Sequence, residues 1–314
     1  MSFKKRTSDT VLENPYELHD ISHLIICRRP KTARGKRFLV NREAKVVEDP
    51  KNTMFLRGTT TSSVVSEAMA DLYSLKKPLA VMLQKRNNLH PFEGGQDEAS
   101  LDFFAQQSDA ALALFASHSK KRPHNMVLMR FFDQHVLEMA ELGITEFRSI
   151  ASIKGPTCAV GTKPAILFGG ALWEQETELR ALRSMFLDFF RGREIESLDL
   201  AMMESFVSLV ALPDGVILLR VYRVLNVSSG EPRLELMGPS INWKLGRVRI
   251  APNELMKQAM RQPKELRPTK VKNEKTTSLG DTMGRVHVGR QQIEKIQTRK
   301  VKALKRSKNE PKEE

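Results

Sequence analysis

The sequence predicts a mixed α/β (α+β) fold in two pseudo-repeated halves, with flexible basic extensions at both ends. Three observations support this. From about residue 50 to residue 250, short apolar runs of strand length alternate with amphipathic stretches of helical period. The 314-residue chain is 40% hydrophobic, enough for a real core, and has room for one large domain or two small ones plus tails. Charge is the third: residues 1–37 hold nine basic and four acidic side chains, and residues 257–314 hold seventeen and seven. The intervening span keeps 25 basic and 26 acidic residues of a chain whose net charge is +14. A nearly neutral body between two cationic ends attracts a polyanionic partner electrostatically, and the default partner is nucleic acid, here RNA.

Taken in order, residues 1–27 read as an extension. The run RRPKTARGKR follows, with Arg28, Arg29, Lys31, Arg34, Lys36 and Arg37 and no acid. The pattern over 38–48 predicts a helix ended by Pro50. A short apolar strand over 54–57 stops at Gly58, and the hydroxyls of Thr59 to Thr61 offer caps for a helix through about Ser74. Its face is formed by Val64, Val65, Ala68, Met69 and Leu72, and Pro78 prevents continuation. Ser100 offers a cap for a second helix over LDFFAQQ, followed by strands at 110–115 and 126–132 on either side of the loop SHSKKRPHN.

The second half repeats the theme. A strand at 165–168 ends at Gly169-Gly170, and 175–191 forms an amphipathic helix with Leu179, Leu182, Phe186 and Phe189 inward and Gly192 just past its end. Pro213-Asp214-Gly215 turns the chain between apolar runs at 206–212 and 216–222. Ser228-Ser229-Gly230 turns it again into 233–237, which makes an antiparallel meander of about three strands. Residues 262–285 read as a polar linker, and 288–306 becomes periodic. At 100° per residue Ile293, Ile296, Val301 and Leu304 share one face, and Lys295, Arg299, Lys302 and Arg306 share the other. Two readings stand for that tail: a helix that forms on contact, or a segment without order.

The candidate chemistry is that of binding. Lys120, Lys121 and Arg122 sit together in the loop after His118, where Pro123 restricts the backbone of Arg122. They suit phosphate contact, and equally a solvated turn. The terminal basic segments suit RNA contact, with solubilising tails or import signals as the alternative. His118, His124 and His135 lack supporting ligands at metal spacing, apart from Asp133, so no metal is expected. GPTCAVGTK places five residues between its glycines and puts Thr before Lys, unlike a phosphate loop. No nucleophile elbow, metalloprotease or paired-carboxylate signature is present, so neither catalysis nor a cofactor is expected. Cys27 and Cys158 lack zinc spacing and suit a reducing compartment. The N-terminus MSFKKRTSDT has no apolar core of a secretory signal, and no apolar run approaches the ~18–20 residues that cross a bilayer, so no membrane partner is expected.

The runs PKTARGKRFLVNREAKVVEDPKNTMFLRG, LYSLKKP, RNNLHPFE, SLDFFAQQSDAALALFASHSKKRPHNMVLMRFFDQHVLEMAELGI and VHVGRQQIEKIQTRKVKALKR resemble the Brix-domain factors of large-subunit ribosome assembly. The resemblance runs from about Pro30 to Arg306 and is looser over 155–250, where KPAILFGGALWE and RLELMGPS are its clearest parts. It implies a Brix domain over 28–252, with halves at about 38–150 and 151–252, each similar to an anticodon-binding domain. An extension at 1–27 and a basic tail at 253–314 flank it. The resemblance also implies a non-catalytic nucleolar factor that acts on the pre-60S particle with the regulator of ribosome synthesis protein. The pair would bring in 5S rRNA with the ribosomal proteins uL18 and uL5, against 25S/28S-type pre-rRNA. By matching motif, Lys120, Lys121 and Arg122, and Lys295, Arg299, Lys300, Lys302, Lys305 and Arg306 of the tail, become RNA-contact candidates. Another Brix-family factor on a different pre-rRNA region, in either subunit, is the alternative, and an RNA-processing enzyme is the rival from another class.

Overall fold

A computed structural model describes residues 30–43, 45–153, 155, 157–195, 203–225, 233–264, 271–277, 279, 281–286, 288–293 and 296. Described residues up to Arg261 form one compact unit, and those from Gln262 form a second.

The first unit is organised by one nine-stranded mixed sheet in the order β2-β1-β3-β4-β5-β9-β8-β7-β6. In its first half β1 (Thr53–Gly58) leads to helix α2 (Ser63–Lys76), β2 (Ala80–Asn87), helix α3 (Gln96–Ser108) and β3 (Leu112–Ser117). The meander β4 (Asn125–Phe132) and β5 (His135–Arg148) completes that half. In the second half β6 (Ala165–Gly169) leads through the short helix α4 (Leu172–Gln175) and helix α5 (Thr177–Phe190) to β7 (Ser205–Ala211), β8 (Val216–Leu225) and β9 (Arg233–Arg249). Each half thus has a strand, a helical crossover to a parallel neighbour, and two further antiparallel strands. The repeat read from element order is present, and the halves join where β5 pairs antiparallel with β9. The first half carries β2 and α3 in addition.

β1 lies between two parallel neighbours, so it is apolar on both faces. Phe55 turns toward a core shared with α2 and α5, whereas Met54 and Leu56 turn toward a second core under α3. The larger core gathers Val65 and Met69 of α2, Leu182 and Phe186 of α5, and Trp243 of β9, whose ring stacks on Phe186 at 5.5 Å and 16°. β7 and β8 instead alternate buried and half-buried residues, as strands covered on one face do. Ion pairs tie the halves together. Arg130 of β4 donates to Ser184 Oγ and Asp188 Oδ2 of α5, each at 2.9 Å, and pairs with Glu138. Lys51 Nζ donates to Asp188 at 2.7 Å, and Arg249 of β9 reaches Glu98 of α3 at 2.6 Å.

Several local expectations shift. Helix α1 spans Ala33–Arg42, not 38–48, because Thr32 caps it by accepting from Gly35 N at 3.1 Å and Glu43 is already extended. The cap of α2 is Ser62, which accepts from Val65 N, rather than Thr59 to Thr61. Ser100 lies inside α3, its hydroxyl donating to Gln96 O at 2.9 Å; Gly95 precedes the helix, and Asp97 and Glu98 in the first turn complement its dipole. Strands β2 and β5 were not expected. Gly192 follows α5 at φ 61°, as its place predicted. Helix α6 (Asn253–Ala259) closes the first unit. The second contains a small hairpin of β10 (Glu274–Thr276) and β11 (Thr282–Gly284).

Candidate nucleic-acid interface

The loop between β3 and β4 is held at its base. His118 N donates to Thr60 O at 2.9 Å, and Thr60 Oγ1 returns a bond to His118 O at 2.7 Å. A turn is closed by Arg122 N on Ser119 O at 3.2 Å and on Ser119 Oγ at 3.1 Å, with Ser119 N on Arg122 O at 3.1 Å. His124 sits at φ 49°; its amide donates to His118 Nδ1 at 3.2 Å, and its own Nδ1 shares a 2.8 Å hydrogen bond with Ser62 Oγ. The three cations of the loop then diverge. Arg122 Nη1 lies 2.7 and 2.8 Å from the two carboxylate oxygens of Glu141 on β5. Lys120 and Lys121 are exposed and, among the described residues, make no side-chain hydrogen bond or ion pair.

Glu141 is the centre of this arrangement. Its side chain is only 6% exposed, and it also accepts from Asn125 Nδ2 at 2.8 Å and Arg247 Nε at 2.9 Å. Two guanidiniums on one buried carboxylate leave a local excess of one positive charge, in fixed geometry. Arg247 in turn lies 4.2 Å over the ring of Phe92. Sequence reading found the loop but missed Glu141, Arg247 and Phe92. The available signal was a pair of acids, Glu138 and Glu141, within the apolar run LEMAELGI, each of which needs a cation from elsewhere once buried.

The other candidates among the described residues are not gathered at this loop. Lys31, Arg34, Lys36 and Arg37 lie exposed at and on α1. That helix is tied through Arg42 to Gln106 O and to Asp109, just ahead of β3. The loop of Lys120 follows β3, so the two anchor points lie at opposite ends of that strand. Arg28, Arg29, Lys295, Arg299, Lys300, Lys302, Lys305 and Arg306 lie outside the described residues. Of the periodic stretch 288–306, the described residues 288–293 and 296 contain no α-helix.

A cavity of about 970 Å³ elsewhere is lined in part by Asp71, Lys76 and Cys158, which among the described residues are the groups with shifted proton affinity. Burial raises the Asp71 carboxyl, partly offset by a hydrogen bond from Ile150 N at 2.9 Å. Burial raises the Cys158 thiol, which donates to Glu204 O at 3.2 Å. Burial lowers Lys76 to about 8 against the opposing pull of Asp188. Lys76 Nζ donates to the carbonyls of Asp188 and Phe189 at the end of α5, so this ammonium serves as a clamp between two helices.

Comparison with known proteins places this geometry in context. A model described as the Brix domain matches residues 58–247. The chain is 42% identical over 294 residues to a ribosome production factor 2 homolog of Drosophila melanogaster, covering 92% of this chain and 91% of that one. It is 43% identical over 260 residues to the Homo sapiens ribosome production factor 2 homolog, covering 82% and 84%. A crystal structure of a probable ribosomal biogenesis protein from Aeropyrum pernix K1 aligns at TM-score 0.38 and 10% identity, covering 62% of this chain and 96% of that one.

Proposed function

The chain belongs to the Brix domain family, among ribosome production factor 2 homologues, and from that premise we propose that it is a non-catalytic assembly factor of the large ribosomal subunit. In this reading it works in the nucleolus with the regulator of ribosome synthesis protein. The pair brings 5S rRNA, uL18 and uL5 into the pre-60S particle and supports maturation of the pre-rRNA.

The observation that carries the reading is the near full-length likeness to ribosome production factors. The geometry adds a means of contact. A rigid loop presents Lys120 and Lys121 to solvent while Arg122 is held by Glu141, so the two lysines contact phosphate and the arginine positions the loop. The basic residues at and on α1 and in the terminal segments supply further, sequence-independent attraction.

The test is affinity purification of the full chain from cells, with sequencing of its RNA and identification of its proteins. Enrichment of 5S rRNA, uL18, uL5 and the regulator protein is the expected result. Enrichment of another pre-rRNA region without 5S rRNA would assign the chain to a different assembly step, and metal-dependent turnover of RNA by purified protein would make it an enzyme.

A further inference from the structure

Beside the basic loop lies a second cavity, of about 350 Å³, whose wall includes the last residues of three parallel strands: Gly58 of β1, Asn87 of β2 and Ser117 of β3. The connection after β1, α2, packs on one face of the sheet, and the connection after β2, α3, packs on the other. Adjacent parallel strands whose crossovers leave to opposite faces open a crevice at their carboxyl ends, and open α/β sheets bind ligands in that crevice. The cavity therefore occupies the switch point of this sheet. Its volume falls in the lower part of the range for small-ligand pockets, ~300–1,000 Å³.

The lining specifies the ligand. Lys121, Arg122 and Arg247 face Glu93 and Glu141, and Glu141 is already engaged by both arginines, which favours an anionic guest. Arg247 places its guanidinium carbon 4.2 Å from the ring centroid of Phe92, and its side chain is 49% exposed. Guanidinium and aromatic planes of this kind stack on unpaired bases. Asn88 and His90 add side-chain donors and acceptors that, among the described residues, make no other hydrogen bond. A phosphate, a planar heterocycle and a hydrogen-bonding edge are together a nucleotide.

We propose that this switch-point cavity receives one unpaired nucleotide of a bound RNA, with its phosphate on Lys121 and its base against the Phe92–Arg247 pair. The inference rests on the RNA-contact reading above and adds a base-reading site to it. A base inside a duplex presents only its groove edges, so the guest is a nucleotide turned out of its helix or in a single-stranded stretch.

The full chain would be titrated with two fluorescent probes: a short oligouridylate, and a strand of equal length and charge in which every residue is abasic. The oligouridylate is expected to bind about tenfold more tightly, within what one stacked base contributes. That advantage should vanish in Asn88→Leu and in Phe92→Leu, with abasic-strand affinity preserved and cooperative unfolding retained. Equal binding of both probes by the unmodified chain would overturn the cavity proposal and leave the RNA reading standing. An advantage that survives in both variants would show that the base is read elsewhere, and overturn it too. Failure of both probes to bind would overturn the RNA reading and the proposal with it.

Discussion

Arg122 on the β3–β4 loop places one guanidinium nitrogen 2.7 and 2.8 Å from the two carboxylate oxygens of Glu141, a buried acid in the middle of β5. The loop that carries the exposed Lys120 and Lys121 is thereby anchored to the sheet by a charge pair rather than left to the solvent. Removal of the acid should therefore loosen the loop and strand two cations. Glu141→Ala is expected to lower unfolding free energy by roughly 2–3 kcal/mol, below the ~3–5 of a fully buried pair because Arg122 and Arg247 remain partly exposed. Glu141→Gln, which keeps an acceptor, should lose less. Denaturant unfolding of both variants measures this, and a Glu141→Ala protein as stable as the parent would refute the anchoring role.

Asp188 of α5 joins the halves by accepting from Arg130 at 2.9 Å and from Lys51 at 2.7 Å. Asp188→Ala leaves the buried Arg130 and the partly exposed Lys51 without that partner, and should cost roughly 2–3 kcal/mol. Cooperative unfolding with an unshifted midpoint would contradict that.

Burial lowers Lys76 to about 8 from the 10.5 of the free side chain. Between these values the unfolded chain holds a proton that the folded chain has released, so stability rises with pH across the window and is lowest below it. The difference corresponds to about 3 kcal/mol at most. The gain in unfolding free energy from pH 7 to pH 9.5 should be larger for the parent chain than for Lys76→Met. A gain of equal size in both would exclude Lys76 as its source.

Gly170, between β6 and α4, has φ 102°, and a methyl group there would sit 2.7 Å from Ala211 O. Gly192, at φ 61°, faces open space. Gly170→Ala should therefore destabilise by roughly 2 kcal/mol or more, combining backbone strain with a clash against a neighbouring strand. Gly192→Ala bears only the left-handed backbone cost of ~1–2 kcal/mol. Thermal melts of the pair should rank in that order, and the reverse ranking would contradict the packing described for the β6–α4 turn.

The alternation of strand and helix was legible because β1, β3, β4, α2 and α5 bury continuous or periodic apolar faces whose spacing survives in the sequence. β5 was not, because Glu138 and Glu141 interrupt its apolar pattern while their neutralising arginines come from β4, the loop and β9, up to 106 residues away. β2 was missed because an edge strand with Gln84, Lys85 and Arg86 has no alternation to read. The start of α1 lay hidden in the basic run, since Thr32, not the apolar period from Phe38, sets it. At the site, the charges of Lys120, Lys121 and Arg122 were visible, but their division of labour was not. Only the fold shows that Arg122 is held by a carboxylate while both lysines are exposed and, among the described residues, make no side-chain hydrogen bond or ion pair.

That division is most directly tested by the salt dependence of 5S rRNA binding. The parent chain and the double variant Lys120→Glu, Lys121→Glu would be titrated between 50 and 200 mM salt. Each lost phosphate contact reduces the slope of log affinity against log salt by ~0.7–0.9, so the account predicts a slope shallower by about 1.5, with an unchanged melting temperature. A folded double variant with the affinity and slope of the parent would contradict it.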